Sequence, residues 1–347
     1  PVYVLLLDAK SAFDKVVREC AVKNAYLAGT TDQGLLYINS RLEHRKTLVE
    51  WDKVLMGPIF YKLGVEQGNV NSGEIYKLCN NQQLSTAQKS ELGVDIGSAI
   101  VSAIGQADDT GLLSDSIHKL ASLLHLTVDY CQKYHVELVP EKTKLLAYFP
   151  KNHGLQHYLQ EVLSPLTLNG IEIDFSSSAE HVGILRSVDG NMPNILARIS
   201  AHTKAIMSIL PTGMARGHRG NPAASLRLDK LYGTPVLLSG LLSLILADNE
   251  LAAVHHHHKV NLQRLQRLCQ ATPECVVMFL AGSIHATGIF HLRIFGMIAR
   301  LGPENILYQH GKHILLSATI RSSSCTSWFH SLRTLCQQYN IQDPLLT

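Results

Sequence analysis

The chain has 347 residues, of which 46% are hydrophobic and 17% are charged, and its formal net charge is +3. This composition predicts a folded protein of two or three domains and excludes a disordered chain, because disorder goes with low hydrophobicity and high net charge. The small net charge also excludes a uniformly basic nucleic-acid coat, while a local basic patch stays compatible with it.

Strands and helices alternate over the first 150 residues. Residues 2–7 are a continuous apolar run, typical of a strand that is covered on both faces. The pattern that follows predicts a helix at 12–26, two strands within 35–62, a helix at 72–84, two strands around a turn at 106–109, a helix at 117–134, and short strands at 136–139 and 145–149. We therefore expect one sheet with helices packed on it.

Helices dominate the rest of the chain. The sequence predicts short strands within 166–173 and 179–186, then helices at 192–210 and 222–246 on either side of a Gly- and Pro-rich loop, and mainly helices from residue 251 onward. The run of four histidines at 255–258 lies in helix-like sequence. Adjacent histidines on a helix do not face one point, so the run by itself does not predict a metal site.

Cysteine and hydropathy patterns narrow the class of protein. The seven cysteines are scattered, odd in number and include no CxxC pair, which indicates reduced thiols in an intracellular protein. The longest apolar run, Val236 to Ala247, is shorter than the roughly 20 residues that cross a bilayer, so we expect no membrane partner. Because the chain runs from Pro1 directly into an apolar strand, we expect a fragment of a longer protein.

The sharpest chemical feature is a set of three aspartates. Asp8 follows the first apolar strand, and Asp108 and Asp109 fill the turn between two later strands. If these strands are neighbours, the three carboxylates converge and offer the hard oxygen ligands that suit Mg²⁺. Two such ions would clamp the attacking and leaving oxygens of a phosphoryl transfer. Considered alone, the Asp–Asp turn is more typical of a solvated hairpin tip.

Five segments give these aspartates a context. They are residues 7–16 (LDAKSAFDKV), 64–72 (GVEQGNVNS), 107–114 (ADDTGLLS), 139–144 (VPEKTK) and 181–185 (HVGIL). In this order and with this spacing they resemble the motifs of reverse transcriptases, most closely those of LINE-type (non-LTR) retrotransposons.

The resemblance implies an α+β fold, with an antiparallel sheet and packed helices forming the palm of a right-hand polymerase. It implies a palm with a primer-grip hairpin at 1–185, a thumb-like helical region at 186–250 and a helical C-terminal region of unassigned role at 251–347. The fingers that normally precede the first motif are expected to be largely missing.

The same resemblance implies an RNA-directed DNA polymerase, a nucleotidyltransferase that adds dNTPs to a primer 3′-OH. Its expected partners are an RNA template, a DNA primer and the upstream part of the same polyprotein. Two Mg²⁺ ions are the expected cofactors, with Mn²⁺ as the alternative. The expected location is the nucleus and the cytoplasm.

Metal-binding roles follow from the first and third motifs. Asp8 and Asp108 would hold the metal ions, and Asp109 would complete the acidic cluster. The backbone carbonyl of Ala9 would add a ligand.

Nucleotide- and template-binding roles fall on four further positions. Phe13 stands where the family places an aromatic ring beneath the incoming sugar, where it would clash with a 2′-OH; the alternative is a core phenylalanine. Gln67 and Gly68 would lie against the template base and the nucleotide, since only a residue without a side chain allows so close an approach. Lys142 would meet the pyrophosphate; the alternative is a surface lysine in a turn.

A basic stretch follows the palm. Residues 198–230 carry six Lys or Arg and one acid, and Arg216, Arg219 and Arg227 are the residues expected to grip the template–primer backbone. Phosphate contacts of this kind are independent of sequence, which suits a polymerase that must translocate. A solvated loop is the alternative.

Two other functions stay open. Gln106 stands where the family usually has Tyr or Phe, and Asn71, Ser72 and Gly73 stand where a Ser–Pro pair is usual. These departures favour a catalytically inactive, nucleic-acid-binding remnant. The third alternative is a palm polymerase that makes RNA, and Phe13 argues against it because such an enzyme must admit a 2′-OH.

Overall fold

The structure is a computed structural model that describes residues 1–43, 46–66, 70–96, 99–149, 165–212, 221–244, 246–301, 304–305, 308–312 and 328–342. The chain forms two compact units, Pro1–Val182 and Gly183–Thr347. The boundary falls in a turn whose two residues, Val182 and Gly183, both have positive φ.

The first unit combines short strands with four helices among its described residues. In chain order these are β1 (Val2–Leu7), β2 (Ala9–Lys10), α1 (Arg18–Leu27), α2 (Asp32–Leu42), β3 (Lys46–Trp51), β4 (Val54–Phe60), α3 (Val70–Lys89), β5 (Val94–Asp95), β6 (Ile100–Val101), β7 (Ala103–Gln106), β8 (Asp109–Ser114), α4 (Ile117–Lys133), β9 (Glu137–Leu138), β10 (Lys144–Tyr148), β11 (Thr167–Leu168), β12 (Ile171–Glu172) and β13 (Ser178–His181).

A four-stranded antiparallel sheet in the order β10-β1-β8-β7 is the centre of this unit. Leu5 of β1 lies opposite Leu112 of β8 and Leu145 of β10. These leucines are fully buried in one core that also contains the apolar face of α4, formed by Leu120, Leu123, Leu124 and Cys131. The predicted central strand, the long helix over 117–134 and the α+β palm-like sheet are thereby confirmed.

Two predicted elements in the first unit are wrong in part. The helix expected from residue 12 begins only at Arg18, because residues 11–15 form a tight turn in which the amides of Asp14 and Lys15 both donate to the Ser11 carbonyl. The two strands expected within 35–62 are both present, but the start of that region, residues 35–42, belongs to α2. The Thr31 hydroxyl accepts from the Gly34 amide and caps this helix.

The two strands predicted within 35–62 pair as the hairpin β3–β4. Every residue of both strands is exposed, and Trp51 at the tip is 74% exposed. The hairpin therefore adds little to the hydrophobic core of the unit.

The second unit is mainly helical among its described residues. It contains β14 (Ile184–Ser187), α5 (Met192–Thr212), α6 (Pro222–Leu228), a π-helical turn (Asp229–Gly233), α7 (Thr234–Leu238), a 3₁₀ turn (Leu241–Ser243), α8 (Asp248–Gln266), α9 (Glu274–Ala281), α10 (Ala286–Ile298) and α11 (Trp328–Gln338). Within the described ranges no single helix has the length and apolarity of a membrane span, although α9 and α10 meet that test as a pair bent by 49°.

The single helix predicted over 222–246 is divided into four successive elements: α6, the π-helical turn, α7 and the 3₁₀ turn. Pro235 has no amide hydrogen to continue the helical ladder, and Gly240 adopts a left-handed conformation with φ of +75°. The buried Asp229 carboxylate, in the π-helical turn, accepts from Thr234 and pairs with His202 at 3.1 Å. The π-helical turn therefore contributes Asp229 to a buried polar network with His202 and Thr234.

Candidate active site

The antiparallel register brings two of the three predicted aspartates to neighbouring strands. Leu7 of β1 lies opposite Thr110 of β8. Continuing this register by one residue sets Asp8 opposite Asp109, where directly opposed side chains are about 5 Å apart. The core and α4 cover the face that carries Leu5, so Asp8 and Asp109 belong to the other face.

Asp108 occupies the turn between β7 and β8. The residue before it, Ala107, has φ of +54°, a conformation that residues other than glycine rarely adopt and that often marks functional positions. The Asn80 side-chain amide, on α3, donates to the Ala107 carbonyl at 3.3 Å. Helix α3 therefore contributes to holding this turn in its strained conformation.

Asp8 has a cationic partner. Its carboxylate lies 3.2 Å from the Lys142 ammonium, and the Asp8 carbonyl accepts from the Val139 amide. The Asp8 side chain is 35% exposed and that of Lys142 is 67% exposed. The predicted metal ligand and the predicted pyrophosphate contact are thus brought together as an ion pair.

Ala9 and Phe13 lie just beyond Asp8. Ala9 is half-buried in β2, opposite Leu138 of β9. The half-buried Phe13 ring stacks on the buried Tyr76 ring, with centroids 4.7 Å apart. The contact with Tyr76 fixes where the Phe13 ring sits, and the role of Phe13 at the nucleotide sugar stays a prediction.

The start of the second motif packs directly on the first. The Gly64 amide donates to the Val16 carbonyl and the Val65 amide donates to the Phe13 carbonyl, both at 2.8 Å. A Cβ added to Gly64 would lie 2.6 Å from the Asp14 carbonyl oxygen. Only glycine fits this approach. The predicted template-binding residues Gln67 and Gly68 lie outside the described residues.

A cavity of about 40 Å³ lies against Asp108 and Thr110, and Tyr76 of α3 also lines it. Burial raises the pKa of the Tyr76 hydroxyl, and the Asp108 charge raises it further. Tyr76 therefore stays protonated and keeps a hydroxyl hydrogen beside the acidic turn.

Three residues of α3 that face this cavity are not among the predicted site residues. Tyr76, Asn80 and Gln83 are all buried and all line it. Their spacing of four and three residues places them on one helix face, and that spacing was the signal available in the sequence.

The donor set in the first unit suits a hard divalent cation, because all three candidates are carboxylates. They do not form a closed cluster: within the described residues, three ligand atoms of His, Cys, Asp or Glu come within 4.8 Å of one another only at His255, Glu274 and His285, in the second unit.

That second group is better described as a helix cap than as a metal centre. The Nδ1 atoms of His255 and His285 accept from the Ala286 and Thr287 amides at the start of α10. Each neutral ring therefore carries its proton on Nε2, and the Nε2 of His255 faces Glu274 at 3.0 Å. A metal at Nε2 would move that proton to Nδ1 and break the cap.

The three predicted backbone-binding arginines belong to the second unit. Arg227 is exposed on α6. Arg216 and Arg219 lie outside the described residues, so a basic surface formed by all three stays a prediction.

Two telomerase structures are similar to the chain in part. The apo telomerase of Candida tropicalis, truncated from its C-terminal domain, has 15% identity and a TM-score of 0.37, with 54% of this chain and 34% of that chain covered. The telomerase of Candida albicans, in complex with a TWJ fragment of telomeric RNA, has 10% identity and a TM-score of 0.37, with 95% and 50% covered. The chain thus spans half or less of the length of these structures.

No curated protein matches the chain. The reverse transcriptase (RNA-dependent DNA polymerase) family matches residues 1–177, which is more than half of the 347 residues. The match covers the four-stranded sheet, Asp8, Asp108, Asp109 and Lys142. The chain belongs to the reverse transcriptase family.

Proposed function

We propose that this chain is the polymerase part of a LINE-type (non-LTR) retrotransposon and that it adds deoxynucleotides to a primer 3′-OH on an RNA template. The observation that carries the proposal is the register of β1 and β8, which sets Asp8 opposite Asp109 when it is continued by one residue, together with the ion pair of Asp8 and Lys142. The LINE assignment is supported by the order and spacing of the five sequence motifs.

Reverse transcriptase domains use divalent metal ions. In this chain Asp8, Asp108 and Asp109 would hold them, as Mg²⁺ with Mn²⁺ as the alternative. The ions would neutralise the charge that develops on the transferred phosphoryl group. The Asp8 carboxylate pairs with the Lys142 ammonium, so a metal ion bound at Asp8 would take the place of that ammonium.

The other site residues would position and select the substrate. The exposed Lys142 ammonium would meet the pyrophosphate as a cation or proton donor. Phe13, held by its stack on Tyr76, would exclude a 2′-OH. Replacing Phe13 with Val should therefore raise ribonucleotide incorporation relative to deoxynucleotide incorporation, and an unchanged ratio would count against this role.

Primer extension with an RNA template, Mg²⁺ and dNTPs tests the proposed function. The assay compares this chain with a version that carries the proposed upstream part of the polyprotein, each with and without Asp108→Asn. Asp129→Asn, which changes an exposed carboxylate on α4, is the matched control. We expect Asp108→Asn to abolish extension and Asp129→Asn to leave it unchanged. Equal extension by the wild type and Asp108→Asn would refute the catalytic proposal.

A catalytically inactive nucleic-acid-binding remnant is the second candidate. It is favoured by Gln106, which is exposed and pairs with Asp109 at the base of the catalytic turn, where the family usually has an aromatic residue. Template–primer binding without extension, by both the shorter and the longer chain, would support this candidate.

A further inference from the structure

The hairpin β3–β4 contributes no residue to the hydrophobic cores of the described chain. All residues of both strands are exposed, and within the described ranges β3 forms a sheet only with β4. A two-stranded hairpin by itself is marginally stable in water, and three or more paired strands are needed for a stable sheet. The hairpin therefore has the character of one half of a larger sheet.

The two outer edges of the hairpin differ in how well they accept another strand. β4 contains Pro58, which has no amide hydrogen to donate, and β4 bulges where its register with β3 shifts between Thr47 and Val49. Proline and bulges are features that blunt the edge of a sheet. β3 contains no proline. An added strand would therefore pair along the outer edge of β3.

The sequence of β3, KTLVEW, is complementary in charge to a second copy of itself. When two copies pair antiparallel with Leu48 opposite Leu48, Lys46 of each copy lies opposite Glu50 of the other. The three side chains share one face of the strand, because they are two residues apart. A shift of two residues in either direction sets a charged residue opposite Leu48 instead, so the charges favour this register.

Both charged residues are available for these pairs. Lys46 and Glu50 are exposed, and neither has an ion-pair partner among the residues that the structure describes. Edge strands that avoid pairing carry charges that repel an incoming strand. In β3 the charges have opposite signs, so a second copy would be attracted. Leu48, which is 53% exposed, would be covered at the centre, with the charges around it.

We propose that β3 is the interface of a symmetric homodimer, in which two hairpins join as a four-stranded antiparallel sheet in the order β4-β3-β3-β4. The two-fold axis passes between the two copies of Leu48, and a Lys46–Glu50 ion pair lies on each side of it. A symmetric contact of this kind is closed and stops at two copies. The proposal concerns assembly and does not rest on the proposed polymerase function.

Charge reversal tests the proposed ion pairs. The full chain is examined by sedimentation velocity over a series of concentrations. Lys46→Glu sets Glu opposite Glu at both pairs, and Glu50→Lys sets Lys opposite Lys. Because two attractive pairs become two repulsive ones, each variant should weaken dimerisation about 30-fold. Lys89→Glu, at an exposed position of α3, makes the same change in net charge and should leave dimerisation unchanged.

Two combinations of these variants separate the proposed pairing from a general effect of charge. The double variant Lys46→Glu/Glu50→Lys exchanges the two charges and should dimerise as the wild type does. An equimolar mixture of the two single variants should also dimerise, because one copy then carries two glutamates and the other two lysines. A wild type that stays monomeric, a dimer that neither reversal weakens, or single variants that neither combination rescues would overturn the proposal.

A disulfide tests the position of the two-fold axis. Directly opposed side chains have Cβ atoms about 5 Å apart, whereas diagonal neighbours are about 7–8 Å apart and too far for a disulfide. Leu48→Cys should therefore link two copies through residue 48 on mild oxidation, as seen by mass spectrometry of unreduced peptides. Val49→Cys is the matched control and should not form this link, because its counterpart lies diagonally across. Equal cross-linking of the two variants would contradict the proposed register.

Discussion

Gly64→Ala is the sharpest test of how the first two motifs are joined. Gly64 has φ of +82°, and its added Cβ would lie 2.6 Å from the carbonyl oxygen and 2.8 Å from the Cα of Asp14. Both are backbone atoms, which cannot rotate away as the end of a side chain can. The segment that carries Gly64 and Val65 must therefore move off the turn at residues 13–16.

The expected cost can be worked out with Gly29 as a reference. Gly29 has nearly the same φ, +84°, but no atom lies within 4 Å of its added Cβ. Gly29→Ala should therefore show only the cost of positive φ, about 1 kcal/mol. Gly64→Ala should add the loss of two backbone hydrogen bonds, to Val16 and Phe13, at about 1 kcal/mol each. The difference of about 2 kcal/mol corresponds to a change of about 30-fold in the equilibrium by which the segment of Gly64 and Val65 docks on the turn at residues 13–16.

Amide hydrogen exchange measures this docking directly. The amides of residues 64 and 65 should exchange about 30-fold faster in Gly64→Ala than in the wild type. In Gly29→Ala they should keep the wild-type rate. Equal rates in the two variants would show that the contact between Gly64 and Asp14 does not control the docking.

Three further predictions concern single side chains. Asn80→Ala removes the donor to the Ala107 carbonyl, so the rate of primer extension should fall about fivefold. Asn81→Ala, at an exposed position, should leave that rate unchanged. Equal effects of the two substitutions would refute the role of Asn80. Lys142→Met should slow primer extension about 100-fold if the Lys142 ammonium donates a proton to pyrophosphate. Lys119→Met, on the surface of α4, should not slow it. A wild-type rate for Lys142→Met would exclude proton donation by Lys142. Burial lowers the pKa of His258 to about 4. Between pH 6.5 and 4 the unfolded chain therefore binds a proton at this residue that the folded chain does not bind. The free energy of unfolding should decline by about 1.4 kcal/mol per pH unit as the pH falls through this range. Urea unfolding of His258→Leu should show a flatter pH profile over this range, and an unchanged slope would contradict the assignment.

The central sheet and its acidic end could be predicted because both are local patterns. A continuous apolar run indicates a buried strand, and a polar residue at its end marks where the strand leaves the core. Asp8 and the pair at 108–109 stood out for that reason. Their neighbouring positions required β1 and β8 to pair, and the order of the motifs indicated this.

What the sequence did not indicate depends on tertiary contacts. The sequence around Lys142 does not predict its ion pair with Asp8, because the pairing of β1 with β10 brings the two residues together. Tyr37 and Ile38 have high strand propensity, so the sequence predicts strand for part of α2. Packing and the Thr31 cap override that propensity.

The exposed hairpin β3–β4 has a consequence for handling the protein. Its strands present large apolar side chains on both faces, and within the part of the chain that the structure describes they form a sheet only with each other, so no third strand covers either outer edge there. Such edges template strand addition between molecules. The solubility of the protein should therefore be limited by the hairpin at residues 46–60 rather than by the folded core. Replacing the exposed Leu55 with Lys should raise the concentration at which the chain stays monomeric without changing the stability of the central sheet.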